Sequence, residues 1–395
     1  QATLRALLAH QGVVFEGLRG KALEETVDTI VRVALESAPS SGSADTASVL
    51  CEVGVRHQES GQVTRRGALM QRLRDWAETE GAHRIAVVGQ GGSGKSTLAQ
   101  CFVTEAGRAL HPSVRLVFVL QRSDVMRGYR DLLRELKRML GREDADPDTD
   151  EDVRALVHAL LRDEAVAHAW MGVLDDLPGP AELAEHGMEW LLEPAARGFP
   201  WGSGKTVVTS RSAEWANDQT FSSGITVGNY EADEALAFLT GVVRDWGKDE
   251  AGAAAVARRL HLFPLALASA AGCARKFKMG PRQYLEELVK KVTSPYMQKW
   301  RGRKRAAGEY PEEYLDVVRM TWEKLAVGED GDEVQALLRK LAFVDPCNIP
   351  VGVFADFQLL LPVLEEHCLV QVETGDRETL VSIHALTQEV IREHF

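Results

Sequence analysis

Gly89, Gly94, Lys95 and Ser96 stand in the order G-x-x-x-x-G-K-S within RIAVVGQGGSGKSTLAQCFV, residues Arg84 to Val103. Glycines at that spacing let a backbone curl until its N–H groups converge on an anion. A helix beginning at the lysine adds the positive end of its dipole. Lys95 is then set to bridge β- and γ-phosphate oxygens, and the Ser96 hydroxyl to ligate Mg2+. The candidate cradle is the whole stretch Gly89–Thr97, with Gly92 and Thr97 included. The bland alternative is a glycine-rich turn. A β-rich run before the pattern and a helix-forming run after it are the context in which such a loop binds phosphate.

Gly-Ser-Gly-Lys occurs again in WGSGKTVVTS, Trp201 to Ser210. Here Phe199 stands where the pattern needs its first glycine, and a strand-like run follows the lysine instead of preceding the loop. No helix N-terminus can face that backbone, so the second copy reads as a turn. A phosphate loop also needs a carboxylate on a neighbouring strand. AWMGVLDDLPG supplies Asp175, placed to hold Mg2+ through water, and Asp176, placed to polarise an attacking water. The run TVVTSR brings Arg211 to the edge of the next strand, beside a triphosphate whose γ-phosphate it could sense. Taken alone, an Asp-Asp pair is a loop start and Arg211 a surface residue; behind a phosphate loop both acquire roles.

These residues need a scaffold. Short β-rich runs (RIAVVG, VRLVFVL, AWMGVLDD, TVVTS, GITV) alternate with amphipathic stretches such as GYRDLLRELKRML and EDVRALVHALLRDE. That alternation predicts a parallel sheet with crossover helices. The acidic insert Gly141–Asp152 reads as a solvated loop. After about Tyr230 the strand signals fade into consecutive short helices, and near the end CLVQVET and TLVSIH predict a small hairpin among helices, a winged-helix pattern. The expected division is 1–61, a helical segment and linker and a candidate effector remnant; 62–230, the α/β domain; 231–310, a helical domain; and 311–395, the winged-helix domain.

Composition agrees with several globular domains: 395 residues, 45% hydrophobic and 26% charged. A net charge of −12 disfavours a general grip on nucleic acid. Five scattered cysteines without a C-x-x-C suit a reducing, cytoplasmic setting and argue against a zinc site. No apolar run is long enough to span a bilayer. A chain that begins at Gln1 and stops at Phe395 within a helical pattern reads as a piece of a longer protein.

In order along the chain, VTRRGAL, GQGGSGKST, VLDD, VVTSR, LFPLALA and IHALTQEV resemble the NB-ARC subgroup of the STAND signal-transduction ATPases. That family includes plant disease-resistance proteins, the animal apoptosome scaffold and many microbial regulators. The resemblance runs from about Gln62 to Phe395. It implies an AAA+-like (ASCE) α/β P-loop NTPase domain, then an all-α helical domain and a winged-helix domain closing over the nucleotide. It makes Val63 and Arg65 the adenine contacts, puts Pro264 of a Gly-Leu-Pro-Leu-like motif against the nucleotide, with Leu262 in the glycine's place, and has His384 reach the ADP β-phosphate. Without the family, His384 reads as a structural histidine after an apolar run.

The implied activity is a switch: closed with ADP, opened by exchange for ATP with Mg2+, self-associating when open, and reset by slow hydrolysis to ADP and phosphate. Sensor and effector regions would lie outside this chain. Two other classes stay open: a winged-helix, DNA-binding ATP-dependent regulator, which the acidic segment Asp332–Phe395 disfavours, and a P-loop phosphotransferase, for which no acceptor-binding lid is visible.

Overall fold

A computed structural model describes residues 50–55, 66–109, 114–192, 204–292, 312–327, 330–346, 348–354, 357–366, 369–374 and 379–395. All of them belong to one unit running from Leu50 to Phe395. The expected helical segment before residue 50, the adenine candidates Val63 and Arg65, and Trp201–Ser203 of the second glycine-rich stretch lie outside the described residues.

The phosphate-loop strand is β2 (Arg84–Val88), every residue of which is buried. It belongs to a wholly parallel sheet with β1 (Cys51–Val53), β3 (Leu116–Gln121), β4 (Trp170–Leu177), β5 (Lys205–Ser210) and β6 (Ser223–Thr226), in the order β1-β3-β4-β5-β2-β6. A parallel sheet is covered on both faces, which is why these strands read as continuous apolar runs. Side chains alternate between the faces. Ile85, Val87, Val117, Val119 and Val173 pack with α1 (Gly67–Glu78) and α2 (Lys95–Ala109) through Leu73, Trp76 and Phe102. Ala86, Val88, Phe118, Leu120 and Leu174 pack with α3 (Val125–Met139) and α4 (Asp150–Leu161). The acidic insert between these last two helices is largely exposed, but it is tied down at two points: the buried Lys137 of α3 donates to the Asp144 and Ala145 carbonyls and to Asp146 Oδ1, and Thr149 caps α4 through a bond from the Asp152 amide.

Sequence reading did not anticipate β1. It lies inside the stretch assigned to a helical segment and linker, yet it pairs in parallel with β3 through Cys51–Leu116 and Val53–Phe118. Three residues at a sheet edge are too few to carry a periodicity, so only the pairing reveals them.

After a short helix α5 (Pro180–Glu185) and β6, the chain becomes helical: α6 (Ala232–Val242), α7 (Glu250–Arg259), α8 (Pro264–Lys276), α9 (Pro281–Val292) and α10 (Glu312–Leu325). The centre of this block is α8, buried from Pro264 through Ala274 except Leu265 and Ala268. Its run of Ala, Ser, Gly and Cys lets neighbouring helices approach closely on every side. The last block holds α11 (Gly331–Leu341), β7 (Ile349–Pro350), α12 (Phe357–Glu366), β8 (Val370–Thr374), β9 (Thr379–Ile383) and α13 (Ala385–His394). The expected hairpin is present as antiparallel β8 and β9, and β7 adds a third strand in the order β7-β9-β8. Helix α13 serves two cores: Leu386 and Val390 join that of the α6–α10 block, and Ile391 joins that of α11 and α12. No helix among the described residues is long and apolar enough to cross a membrane.

The sheet centre leaves no room for growth. A Cβ added at Gly172 in β4 would sit 2.4 Å from the Phe118 ring across the β3 pairing. Gly172→Ala is therefore expected to cost about 1–3 kcal/mol by overpacking, read as a lower urea midpoint with unchanged slope; an unchanged midpoint would contradict this packing.

Candidate functional site

In a parallel sheet the loops that follow the strands gather at one edge, where ligands bind. The Gly89–Thr97 loop leaves β2 at that edge, Asp175 and Asp176 end β4, and Arg211 comes one residue after β5. Lys205 of the second Gly-Ser-Gly-Lys lies at the other end of β5, where its Nζ donates to the Thr79 and Ala82 carbonyls. That lysine ties the base of the sheet to the end of α1, away from the phosphate loop.

Strand order decides the geometry of the carboxylates. Because β5 lies between β2 and β4, its hydroxyls rather than the loop itself meet the Asp pair. The β4–β5 register shifts between Leu174 and Leu177, a bulge that re-aims the two aspartates. Thr209 Oγ1 donates to Asp175 Oδ1 at 2.6 Å and accepts the Asp176 amide at 2.9 Å. Asp175 is thereby buried, while Asp176 adopts a left-handed φ of 57° and stays about half open to solvent. Asp176 Oδ1 lies 3.5 Å from Arg211 Nε. Enclosure in the cleft raises the Asp176 carboxyl above its ordinary range; Arg211 opposes the rise and Asp175 adds to it.

Helix α2 begins at Lys95, so Ser96 and Thr97 occupy its first turn, each partly exposed. Lys95 is buried, with Nζ donating to the Gln90 carbonyl at 2.8 Å. Burial pulls its ammonium down to about 8; Asp176 and Asp175 oppose that shift and Arg211 adds to it. The loop fits a phosphate group. Ser93 Oγ is buried without a hydrogen-bond partner, Lys95 is a desolvated cation, and Gly92 takes φ 76°, which a side chain would resist.

Two later elements close on this loop. At the start of α8 the Leu265 amide donates to the Gly92 carbonyl at 3.2 Å, and a Cβ on Gly92 would meet Phe263 at 2.7 Å. Pro264 is buried as the first helical residue, where its missing N–H costs nothing. Just before it, His261 and Leu262 are both left-handed, at φ 52° and 59°. Leu262 occupies a conformation made for glycine, at a cost of about 1 kcal/mol or more. The conformation is held by bonds from the Leu262 amide to Ala257 O and from the Tyr230 amide to Leu262 O.

The second element is α13. A Cβ on Gly91 would lie 3.1 Å from Leu386 and 3.7 Å from the Arg211 guanidinium carbon. His384 caps α13, with Nδ1 accepting the Leu386 amide at 3.1 Å. A neutral imidazole that accepts at Nδ1 carries its proton on Nε2 and donates from there. Burial lowers His384 to about 4, and the charges of Arg211 and Lys95 push the same way, so it is neutral at pH 7. His384, Arg211, Lys95 and the Asp pair thus form one cluster. Among the described residues no group of three or more His, Cys, Asp or Glu gathers as a metal centre.

Sequence reasoning missed Arg66. Its neighbour Arg65, the adenine candidate, lies outside the described residues, and Arg66 is buried against the loop: Nη1 donates to Ser93 O at 3.2 Å, and Nη2 to Gly228 O at 2.9 Å and to Asn229 O. An arginine pair beside a phosphate-loop domain is a faint signal, and nothing in the sequence says that Arg66 turns inward.

Residues 77–177 match the AAA domain family. The six-stranded parallel sheet with its loop and helices has the architecture of a P-loop NTPase. Among solved structures, the chain is similar to a Signal Transduction ATPase with Numerous Domains (STAND) protein with a tetratricopeptide repeat sensor from Pyrococcus horikoshii. Identity is 13% and the TM-score 0.47, over 89% of this chain and 44% of that one. The chain therefore spans less than half the length of that protein. It is also similar to Drosophila ORC bound to DNA, at 12% identity and TM-score 0.40, over 93% and 99% of the two chains. The ORC1 protein of Aeropyrum pernix in complex with DNA follows at 14% identity and TM-score 0.30, over 84% and 93%. No curated protein matches the chain in sequence.

The His384 environment has a pH signature. The unfolded chain protonates this imidazole near 6.5 and the folded protein only near 4, so its contribution lowers stability as pH falls from about 6.5 to about 4. His384→Asn keeps a good cap and removes the titration. Between pH 7 and pH 4.5 the parent is expected to lose roughly 1–3 kcal/mol more than the variant, read from urea midpoints; equal losses would place His384 in an unstrained setting.

Proposed function

We propose that this chain is a nucleotide-controlled switch of the STAND type and NB-ARC subgroup, in which ADP holds the α/β domain, the helical domain and a winged-helix domain closed. The observation that carries this reading is the double closure of the loop, by α8 at Gly92 and by α13 at Gly91. A simple ATPase has no need to bring residues nearly three hundred positions downstream against its phosphate loop.

Bound adenine nucleotide supplies the phosphates and, as ATP with Mg2+, a γ-phosphoryl group open to hydrolysis. The chain's own residues do the rest. Backbone N–H groups of Gly89–Thr97 hold phosphate oxygens, and Lys95 regains full charge beside them. Ser96 and Asp175 hold Mg2+. Asp176, on a strained backbone and above its usual carboxyl range, takes a proton from water aligned in the cleft. Arg211 senses the γ-phosphate. Val63 and Arg65 contact adenine, and Pro264 seats the helical domain against the nucleotide. His384 donates from Nε2 to the β-phosphate of ADP. A ligand shifts such an equilibrium only through contacts that differ between states. His384 favours the closed arrangement with ADP, and Arg211 favours ATP. Exchange then opens the protein to self-association, and weak hydrolysis resets it. Sensor and effector regions, or partner proteins, lie beyond this chain, and the setting is cytoplasmic signalling in defence, cell death or regulation.

Chromatography of the denatured protein is expected to release adenine nucleotide, mainly ADP; guanine nucleotide would sink the assignment. Lys95→Ala is expected to abolish tight binding of both nucleotides. Asp176→Asn is expected to bind ATP normally and hydrolyse it more slowly, and turnover at the parent rate would remove the proton-accepting role. Turnover that rises only with added duplex DNA would favour a DNA-dependent regulator instead.

His384 separates the switch from a plain ATPase. Losing one charge-assisted hydrogen bond costs about 1.5–3 kcal/mol, roughly ten- to a hundredfold in the closed–open balance. His384→Ala is therefore expected to release ADP that much faster and to scatter as a more extended particle. An unchanged off-rate with an unchanged radius of gyration would leave His384 a structural cap.

A further inference from the structure

Arg66 joins the phosphate loop to the linker that leads into the helical block. Its side chain is 7% exposed. One nitrogen of its guanidinium donates to the Ser93 carbonyl inside the phosphate loop, and another donates to the Gly228 and Asn229 carbonyls in the linker between β6 and α6. The third, Nε, faces Glu234 Oε2 at 3.5 Å in the first turn of α6. The Tyr230 ring lies under the guanidinium carbon at 5.0 Å. That linker is also the seam with the helical block, because the Tyr230 amide donates to Leu262 O and Asn229 Nδ2 to His261 O.

The Ser93 carbonyl is the informative partner. It shares one planar trans peptide with the Gly94 N–H, so a donor fixing the carbonyl also fixes the N–H, pointed the opposite way. Gly94 takes φ 88°, a backbone conformation that leaves this peptide's orientation to be fixed by its hydrogen bonds, of which the one from Arg66 holds the carbonyl. Only a planar fork can hold this carbonyl, the two linker carbonyls and a carboxylate at once; an ammonium on a flexible stem cannot.

We infer that Arg66 is the positioning residue through which phosphate-loop occupancy sets the seating of the helical block. The inference rests on the phosphate-binding reading of the loop. It assigns Arg66 no contact with nucleotide. An anion on the Gly94 N–H polarises the same peptide, alters how the Ser93 carbonyl bonds Arg66, and the guanidinium passes that change to Gly228, Asn229 and Glu234. The same linkage works in reverse, so displacing α6 loosens the loop.

Hydrogen exchange on the full chain tests this, with and without saturating ADP, in the parent and in Arg66→Lys. In nucleotide-free Arg66→Lys the Tyr230 amide is expected to exchange about tenfold faster, while amides within α9 keep the parent rate. A purely structural loss would speed both. ADP is expected to slow Tyr230 exchange in the parent and not in the saturated variant. Parent-like exchange at Tyr230 in the nucleotide-free variant, or equal slowing by ADP, would overturn the inference. If the parent binds no adenine nucleotide, the switch reading fails and the nucleotide-free comparison alone decides the role of Arg66. If Arg66→Lys does not fold, Glu234→Gln takes its place, since Gln keeps the bond to the Glu231 amide and removes the charge facing Arg66. Faster Tyr230 exchange at an ADP affinity within about threefold of the parent supports the inference; an unchanged Tyr230 rate overturns it.

Discussion

A phosphate loop must turn its N–H groups toward the anion, and each peptide that does so turns its carbonyl outward, where it needs a donor. Here one carbonyl is satisfied within the loop and two by distant parts of the chain. Gln90 O receives the Lys95 ammonium and the Ser93 amide, Gly92 O the Leu265 amide from the start of α8, and Ser93 O the Arg66 guanidinium. The two distant contacts also join the loop to α8 and, through Arg66, to the linker between β6 and α6. A loop packed in this way cannot change its peptide geometry without disturbing α8 or the linker at Gly228–Tyr230.

The sheet imposes a second constraint. With β5 between β2 and β4, the carboxylates at the end of β4 cannot lie directly against the loop strand. Thr209 fills the gap: it fixes Asp175 through its hydroxyl and holds the Asp176 amide, while the bulge after Leu174 leaves Asp176 facing Arg211. Three non-glycine residues take left-handed backbone near the cleft: Asp176, His261 and Leu262. Asp tolerates that region because its short polar side chain bonds locally, but Leu does not. Leu262 is retained there because its amide and carbonyl join α7 to the linker.

Helix α13 matters because it belongs to two cores at once. Leu386 and Val390 are buried with the α6–α10 block, Gln388 ties the helix to the Leu341 and Val344 carbonyls, and Tyr314 Oη meets Thr387 Oγ1 at 2.6 Å. Its capping residue, His384, is consequently held beside Lys95 and Arg211 by packing on both sides. Desolvation and two nearby cations keep that imidazole neutral, with Nδ1 accepting the Leu386 amide.

Local sequence carried much of this. The glycine spacing, the apolar run before it and the helix former after it specify a phosphate loop from interactions within about twenty residues, and the strand–helix alternation specifies a parallel sheet because buried strands and amphipathic helices have different periods. The failure of the second Gly-Ser-Gly-Lys was legible for the same reason, and so was the hairpin at Val370–Ile383. What stayed hidden is non-local. The edge strand Cys51–Val53 has no pattern of its own and exists through pairing with β3. That Arg66 turns inward depends on carbonyls 27, 162 and 163 positions away, and that Leu262 must be left-handed depends on Tyr230. The sequence by itself determined the chemistry that could occur at Gly89–Thr97. Only the tertiary structure decided which distant residues close on it, because a carbonyl's partner is chosen by proximity in space.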